Sequence, residues 1–330
     1  MTMPAEAAKP AFENSRRFHF AESLFKVLLW IAATIVLVTL GAILIILFLS
    51  GRDAFATFGP AFIWLDQWDP VRELYGAAAP IVGTLATSAI ALAIAWPLGF
   101  GIAYFLTETC PKVLRAPLGI AVELLAAIPN IVYGMWGFFV LAPAMSAVIQ
   151  PWLTEHTMWL PVLPSEDNPL WWWFQGAPVG VGLITAGVVL AIMILPFIAA
   201  TTRDVLLTTP QLLKDGGYAM GATRWEVVTG VVIPAVRGSL FGAVFLGLGR
   251  ALGETMAVTF VIGNANRIPD SFYAPTASIA SIVANEFPDA DQGSLKLGAL
   301  FALGFILFVV SFVVLALARL LLRQGRMEGA

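Results

Sequence analysis

Cysteine is nearly absent: Cys110 stands alone in 330 residues, which excludes a disulfide framework and a cysteine-ligated metal centre. Histidine is almost as rare, and His19 and His156 lie too far apart in sequence to suggest a zinc site. Charge is scarce as well. The 18 basic and 21 acidic side chains make up 12% of the chain against 59% hydrophobic residues, too little polar surface for a water-soluble fold of this length. The net charge of −3 offers no electrostatic basis for binding nucleic acid. A Walker A sequence, a His-Glu-x-x-His and a Gly-x-Ser-x-Gly are all missing, so nucleotide hydrolysis and common hydrolytic chemistry have no visible home. What is left is a membrane protein.

What the chain does have is long apolar runs. Residues 27–51, 74–107, 124–154, 168–202 and 297–318 contain no Asp, Glu, Lys or Arg, and a sixth run, 238–266, holds two charges near its middle, Arg250 and Glu254. A helix needs roughly 20 apolar residues to cross the hydrocarbon. The pattern predicts six spans, near 27–49, 81–106, 119–149, 179–202, 239–263 and 297–319. These runs lack the alternation of barrel strands, and lipid cannot satisfy open backbone groups, so the spans should be helices. The fold class expected is an all-α polytopic membrane protein with six transmembrane helices.

Ser15-Arg16-Arg17 before the first span faintly resembles a twin-arginine signal. Its apolar core is too long for a cleaved segment and no small-x-small site follows, so the span is read as a retained anchor. With the N-terminus inside, thirteen Lys and Arg fall on the cytoplasmic side and only Arg52, Arg72, Arg267 and Lys296 outside, beside eleven acids. The positive-inside rule then puts both termini in the cytoplasm. Trp152, Trp159 and Trp171 to Trp173, in an outer loop without Lys or Arg, are expected to form an interfacial aromatic belt.

The loop 203–237 has the clearest local signals. Thr209-Pro210 reads as an N-cap followed by proline at the first helical position, and Gly221 suits the left-handed turn that ends a helix. Thr223 and Glu226 have the spacing of a capping box, and Pro234 is read as the stop of that second element. On its own this pattern also fits an amphipathic hairpin lying on headgroups.

The string Asp215-Gly216-Gly217-Tyr218-Ala219-Met220-Gly221, then nine residues, then Val231-Val232-Ile233-Pro234, resembles the EAA loop of ABC importer permeases. Asp215 stands for the family's Glu, Gly216 and Gly217 for its alanines, and Val231 and Ile233 for its Ile and Leu; the spacing to Gly221 and Pro234 matches throughout. Two further segments, Glu123 to Gly134 and Gly247 to Val258, are similar to segments of the phosphate permease subunits of such importers.

The resemblance implies a MetI-like ABC importer permease core. The organisation expected is a cytoplasmic segment at 1–26, an additional transmembrane helix at 27–49, a periplasmic loop at 50–80, a core of five transmembrane helices at 81–319 with a coupling loop at 203–237, and a cytoplasmic tail at 320–330. It also implies that Asp215, Gly216, Gly217, Gly221 and Pro234 couple to a dimer of ATPase subunits. Other implied partners are a second, PstA-like permease subunit, a periplasmic phosphate-binding protein, phosphate itself and membrane lipid. No cofactor is expected in this chain, ATP being used by the partner.

Arg250 and Glu254 carry the candidate chemistry. A charge halfway along a span costs from roughly 3 to more than 10 kcal/mol. Four residues apart on a helix, the two should share a face and pair, either as a structural tie between helices or as part of a path. Of the seven positions Ala243, Leu246, Gly247, Gly253, Glu254, Ala257 and Val261 on that face, four are Gly or Ala, which admits a close helix or leaves room for a solute. A guanidinium stays charged and captures phosphate oxygens bidentately, while Glu254 can accept from a P–OH group, which sulfate lacks. Glu123 is read as a carboxylate at the start of span three, where the helix dipole favours it. Pro97, Pro129, Pro143 and Pro196 mark kinks. Competing readings are a permease for another oxyanion, a secondary anion transporter or channel, and, with only Glu254 and Glu123 as acids or bases, an intramembrane enzyme.

Overall fold

A computed structural model describes residues 15–157 and 173–327. Trp159, Trp171 and Trp172 of the expected belt lie outside the described residues, whereas Trp152 and Trp173 are exposed. Six helices are long and apolar enough to cross a membrane: Glu22–Ser50, Ala78–Thr109, Asn130–His156, Leu183–Leu207, Arg224–Leu252 and Leu295–Leu320.

The chain divides into two units, Met1–Leu49 and Ser50–Ala330. Among the described residues the first unit holds one helix, α1, Ser15–Ser50. From Trp30 to Leu49 its side chains are apolar apart from Thr34 and Thr39, whose hydroxyls donate to the carbonyls of Trp30 and Ile35 at 2.8 Å. Such back-bonding satisfies the hydroxyl without interrupting the helix.

The second unit begins with α2 (Arg52–Phe58) and a two-residue hairpin, β1 (Trp68–Asp69) against β2 (Leu74–Tyr75), in the register Trp68 to Tyr75. Phe62, Trp68 and Tyr75 bury there in one apolar cluster with Ile279, Leu300 and Leu303 of α12 (Ile279–Glu286) and α13 (Leu295–Met327). Two helices form the spine, α3 (Ala78–Tyr104) and α7 (Leu183–Leu207). Their interface is made of Ala91 and Ala95 against Leu190, Ile194 and Ile198, so small residues on one helix receive branched ones from the other. Pro97 and Pro196 lie inside these helices without ending them.

Two spans and the role read for one proline differ from the expectation. Span three does not start at 119: α4 (Lys112–Ala126) is a separate helix, and the spanning one begins with α5 (Asn130–Trp136) and runs through wider turns to α6 (Gln150–Thr157). Pro129 causes the break, since it has no N–H to give and holds an extended ψ of 132°. Span five does not begin at 239 or run unbroken to 263. It starts at α9 (Arg224–Val227), continues into α10 (Ile233–Leu252), breaks at 253–255, and resumes as the short α11 (Met256–Val261).

Pro234 is the third correction. It stops nothing; it lies in the first turn of α10. The π turn Val228–Val232 precedes it, and the Ile233 N–H reaches back five residues to the Val228 carbonyl. That shift carries the helix past the missing donor.

Candidate functional site

The loop that the sequence marked for coupling folds as a helical hairpin. α8 (Gln211–Ala219) has Pro210 itself at its N-cap, not Thr209, and the buried Thr209 hydroxyl has no partner in the described residues. Gly221 takes φ +86°, the left-handed conformation expected of it. Its N–H donates to the Tyr218 carbonyl at 2.9 Å and the Ala222 N–H to that of Gly217 at 3.3 Å, the paired bonds of a Schellman ending. The capping box is also as expected. Glu226 Oε2 accepts the Thr223 N–H at 2.7 Å, while Thr223 Oγ1 accepts the Glu226 N–H at 3.3 Å.

Two contacts fasten this hairpin to the π turn Phe105–Thr109 that continues α3. Lys214 donates to Glu108 Oε1 at 2.6 Å, both side chains being only about a tenth exposed, and Arg224 Nη1 donates to the Glu108 carbonyl at 3.1 Å. Tyr104 and Trp225 add an edge-to-face contact with ring centres 5.4 Å apart. Burial, and then the Glu108 carboxylate, raise the Tyr218 phenol above its ordinary range, so it stays a neutral hydroxyl at physiological pH. Beneath lie Ala103, Leu206, Val227, Val228, Val232 and Leu240.

Asp215 and Gly216 point the other way, into the open, with Asp215 Oδ1 accepting from Gln211 at 3.0 Å. Gly217 is half-buried, and a Cβ there would lie 3.0 Å from the Val227 side chain. Exposed around them are Leu212, Leu213, Met220 and Trp225, with Leu212 82% and Met220 90% accessible.

Arg250 and Glu254 are not placed as expected. Arg250 occupies the last turn of α10 rather than mid-span, and Glu254 sits past its end, in the break after Gly253. The two form no ion pair in the described structure. Asn130 stands between them: Arg250 Nη2 donates to Asn130 Oδ1 at 3.3 Å, and Asn130 Nδ2 donates to Glu254 Oε2 at 2.7 Å. Glu254 is 8% exposed and its other oxygen accepts the Ala257 N–H at 3.2 Å. Arg250 lies on an exposed face, its guanidinium carbon 5.9 Å from the centre of the Phe197 ring. That is within cation–π range.

The small residues of this face serve packing in part. A Cβ at Gly247 would meet Ile198 at 2.7 Å, and Ala243 and Ala257 are buried. Gly134, one turn after Asn130, admits α11 so closely that a Cβ would lie 2.9 Å from the Ala257 Cα. Glu123 is not at a helix start. It lies near the C-terminal end of α4 and accepts from Arg203 Nη2 of α7 at 2.8 Å, where Asp204 also binds that guanidinium at 2.8 Å.

Sequence reasoning missed Asn130, Lys214 and Glu108 as members of these sites. Asn130 had a signal: with Gln150 it is one of two amide side chains in the charge-free stretch 124–154, and it directly follows Pro129. The Lys214–Glu108 pair joins positions 106 residues apart and had none.

Residues 95–326 match the family described as binding-protein-dependent transport system inner membrane component. The chain is 51% identical over 324 residues to the phosphate transport system permease protein PstC of Mesorhizobium japonicum, with 97% of each chain covered. A protein of the same name from Haemophilus influenzae is 52% identical over 303 residues, 92% of this chain and 93% of that one. Among solved structures, a bacterial alginate ABC transporter in complex with an alginate-bound periplasmic protein aligns with TM-score 0.53 at 15% identity, covering 93% of this chain and 94% of its own. At that identity the likeness is one of fold.

Proposed function

The chain belongs to the family of binding-protein-dependent transport system inner membrane components, and we propose that it is the permease subunit of an ATP-driven importer of inorganic phosphate. It is a multi-pass inner membrane protein and a transporter subunit, not an enzyme; ATP is hydrolysed on a separate subunit. The observation that carries the phosphate reading is the end-to-end likeness to phosphate permeases at about half identity.

In this reading both termini are cytoplasmic and the 211–227 hairpin faces an ATPase dimer. The exposed Leu212, Leu213 and Met220 around Asp215 and Gly216 supply the docking surface, and Gly221 and Pro234 keep the family spacing by which the hairpin joins α10. A second, PstA-like permease subunit completes the path, a periplasmic phosphate-binding protein delivers the anion, and lipid surrounds the remaining apolar faces. Arg250, exposed at the end of α10, receives the anion as a fixed positive charge with a planar set of donors. Glu254, buried beside it, limits how tightly a dianion is held and accepts from a P–OH oxygen. A secondary transporter has no use for the ordered hairpin, and an importer does.

The complex reconstituted with its ATPase and binding protein tests this directly. Phosphate should stimulate ATP hydrolysis and uptake, and Arg250→Gln should abolish uptake in a fully assembled complex. No stimulation by phosphate would overturn the substrate, and normal uptake in both Arg250→Gln and Glu254→Gln would remove these two residues from the path.

A further inference from the structure

We propose that Asn130 is a third member of the anion path, a neutral amide that keeps Arg250 and Glu254 from pairing and hands the guanidinium to the permeant oxyanion. The inference rests on the reading of the chain as a phosphate permease.

The amide is placed by backbone rather than by chance of rotamer. Pro129 breaks the chain so that Asn130 opens α5, and Gly134 one turn later locks α5 onto α11 at backbone contact. Its orientation is dictated by its neighbours: the carbonyl oxygen meets the cation at 3.3 Å and the amino group meets the carboxylate at 2.7 Å. Flipping the amide would set donor against donor and acceptor against acceptor.

Consider the alternative without it. Arg250 and Glu254 would be free to close a direct, poorly hydrated ion pair, in which each loses most of its attraction for a third ion. With Asn130 between them, Arg250 has a single weak acceptor among the described residues and keeps the rest of its five donors open. Asn130 Nδ2 holds one further hydrogen beyond the one given to Glu254.

This arrangement suits an oxyanion that carries both ionised and protonated oxygens. Ionised oxygens of phosphate take the guanidinium, and the Asn130 carbonyl, released from Arg250, accepts from P–OH while the amino group stays on Glu254. When the anion leaves, the carbonyl recovers Arg250 and the charges are again kept apart. No covalent bond changes at any stage.

The assembled importer in proteoliposomes tests the inference with Asn130→Leu, Asn130→Asp and Asn130→Gln, assembly being followed by co-purification of the ATPase. Leucine removes both hydrogen bonds; aspartate keeps the volume but cannot donate to Glu254 and binds Arg250 directly. Both should lower phosphate uptake per assembled complex by about 10-fold or more, the scale of a lost charge-assisted hydrogen bond, and raise the ATP hydrolysed per phosphate moved. Glutamine, which keeps the amide, should recover a substantial part. A role confined to packing would change the amount of complex but leave the ATP-to-phosphate ratio at the wild-type value, and that result in the Leu and Asp variants overturns the proposal. If Arg250→Gln is inactive while Asn130→Leu and Asn130→Asp transport normally, Asn130 alone is removed. Failure of the wild-type complex to move phosphate removes the underlying functional reading.

Discussion

Replacing Lys214 by Met should loosen the 211–227 hairpin without touching its exposed apolar surface. Lys214 Nζ lies 2.6 Å from Glu108 Oε1 in the π turn that continues α3, with side chains 9% and 10% exposed. Removing one partner of a fully buried pair costs about 3–5 kcal/mol, because the other charge is left uncompensated. Here the pair lies at the end of the bundle, where water reaches a tenth of each side chain, so about 2–3 kcal/mol is the appropriate scale. That corresponds to an opening of α8 favoured by roughly 30- to 150-fold. Amide exchange reads it: the N–H groups of 211–219 should lose protection by that factor while those of α7 keep theirs. Lys214→Met with Glu108→Leu should recover much of it, since apolar replacement of both partners removes the stranded charge. Unchanged protection in the single variant, or a double variant no better than the single, would refute the assignment of this pair as the fastening.

Other perturbations have smaller and more local consequences. Thr223→Ala removes the side-chain half of the capping box and should destabilise the start of α9 by about 1 kcal/mol, seen as faster exchange of the Glu226 amide and no change in α7. Gly221→Val forces a branched residue to φ +86°; it should cost about 1–2 kcal/mol or more and reduce the ATPase that co-purifies, with the permease still inserted. Glu123→Gln should be nearly silent. Its carboxylate is 53% exposed and Arg203 retains Asp204, so a change in stability above about 1 kcal/mol would contradict the geometry.

The parts legible in the sequence are those fixed by local chemistry. Long apolar runs reveal six helices because lipid allows only helices or closed barrels and these runs do not alternate, and the comparison with known permeases bears out that class. The Thr223–Glu226 box and the left-handed Gly221 were readable because each involves residues within one turn. The sites were less legible for the opposite reason. Arg250 and Glu254 stand out by charge alone, but their relation depends on Asn130, 120 and 124 positions away, and on a helix break that turns a presumed i,i+4 pair into neighbours across an amide. Glu123 was misread because its helix ends three residues later, at a proline-directed break the apolar run conceals. Pro234 was misread because proline is a strong stop signal only when the preceding turn keeps α spacing, and here it widens.

In the transport reading proposed above, that last correction bears on how ATP hydrolysis would be felt at Arg250. Had Pro234 ended the second coupling element, a flexible joint would separate the hairpin from the span, and motion at α8 would dissipate before reaching Arg250. Instead the helix from Arg224 to Leu252 is unbroken. At 1.5 Å per residue, Arg224 and Arg250 are about 39 Å apart on one body. Its near end is held by Arg224 on the Glu108 carbonyl and by Val227 against Gly217, so the hairpin and the rod are in direct contact. Its far end stops at Gly253, and Glu254 lies beyond the break, bonded to Asn130 and to α11. Arg250 thus sits on this rod, whereas Asn130 opens α5 and the Glu254 side chain is bonded beyond the break. In the transport reading proposed above, a rotation of the rod would alter the 3.3 Å contact between Arg250 and Asn130, and that contact decides whether the guanidinium is offered to the anion or withheld.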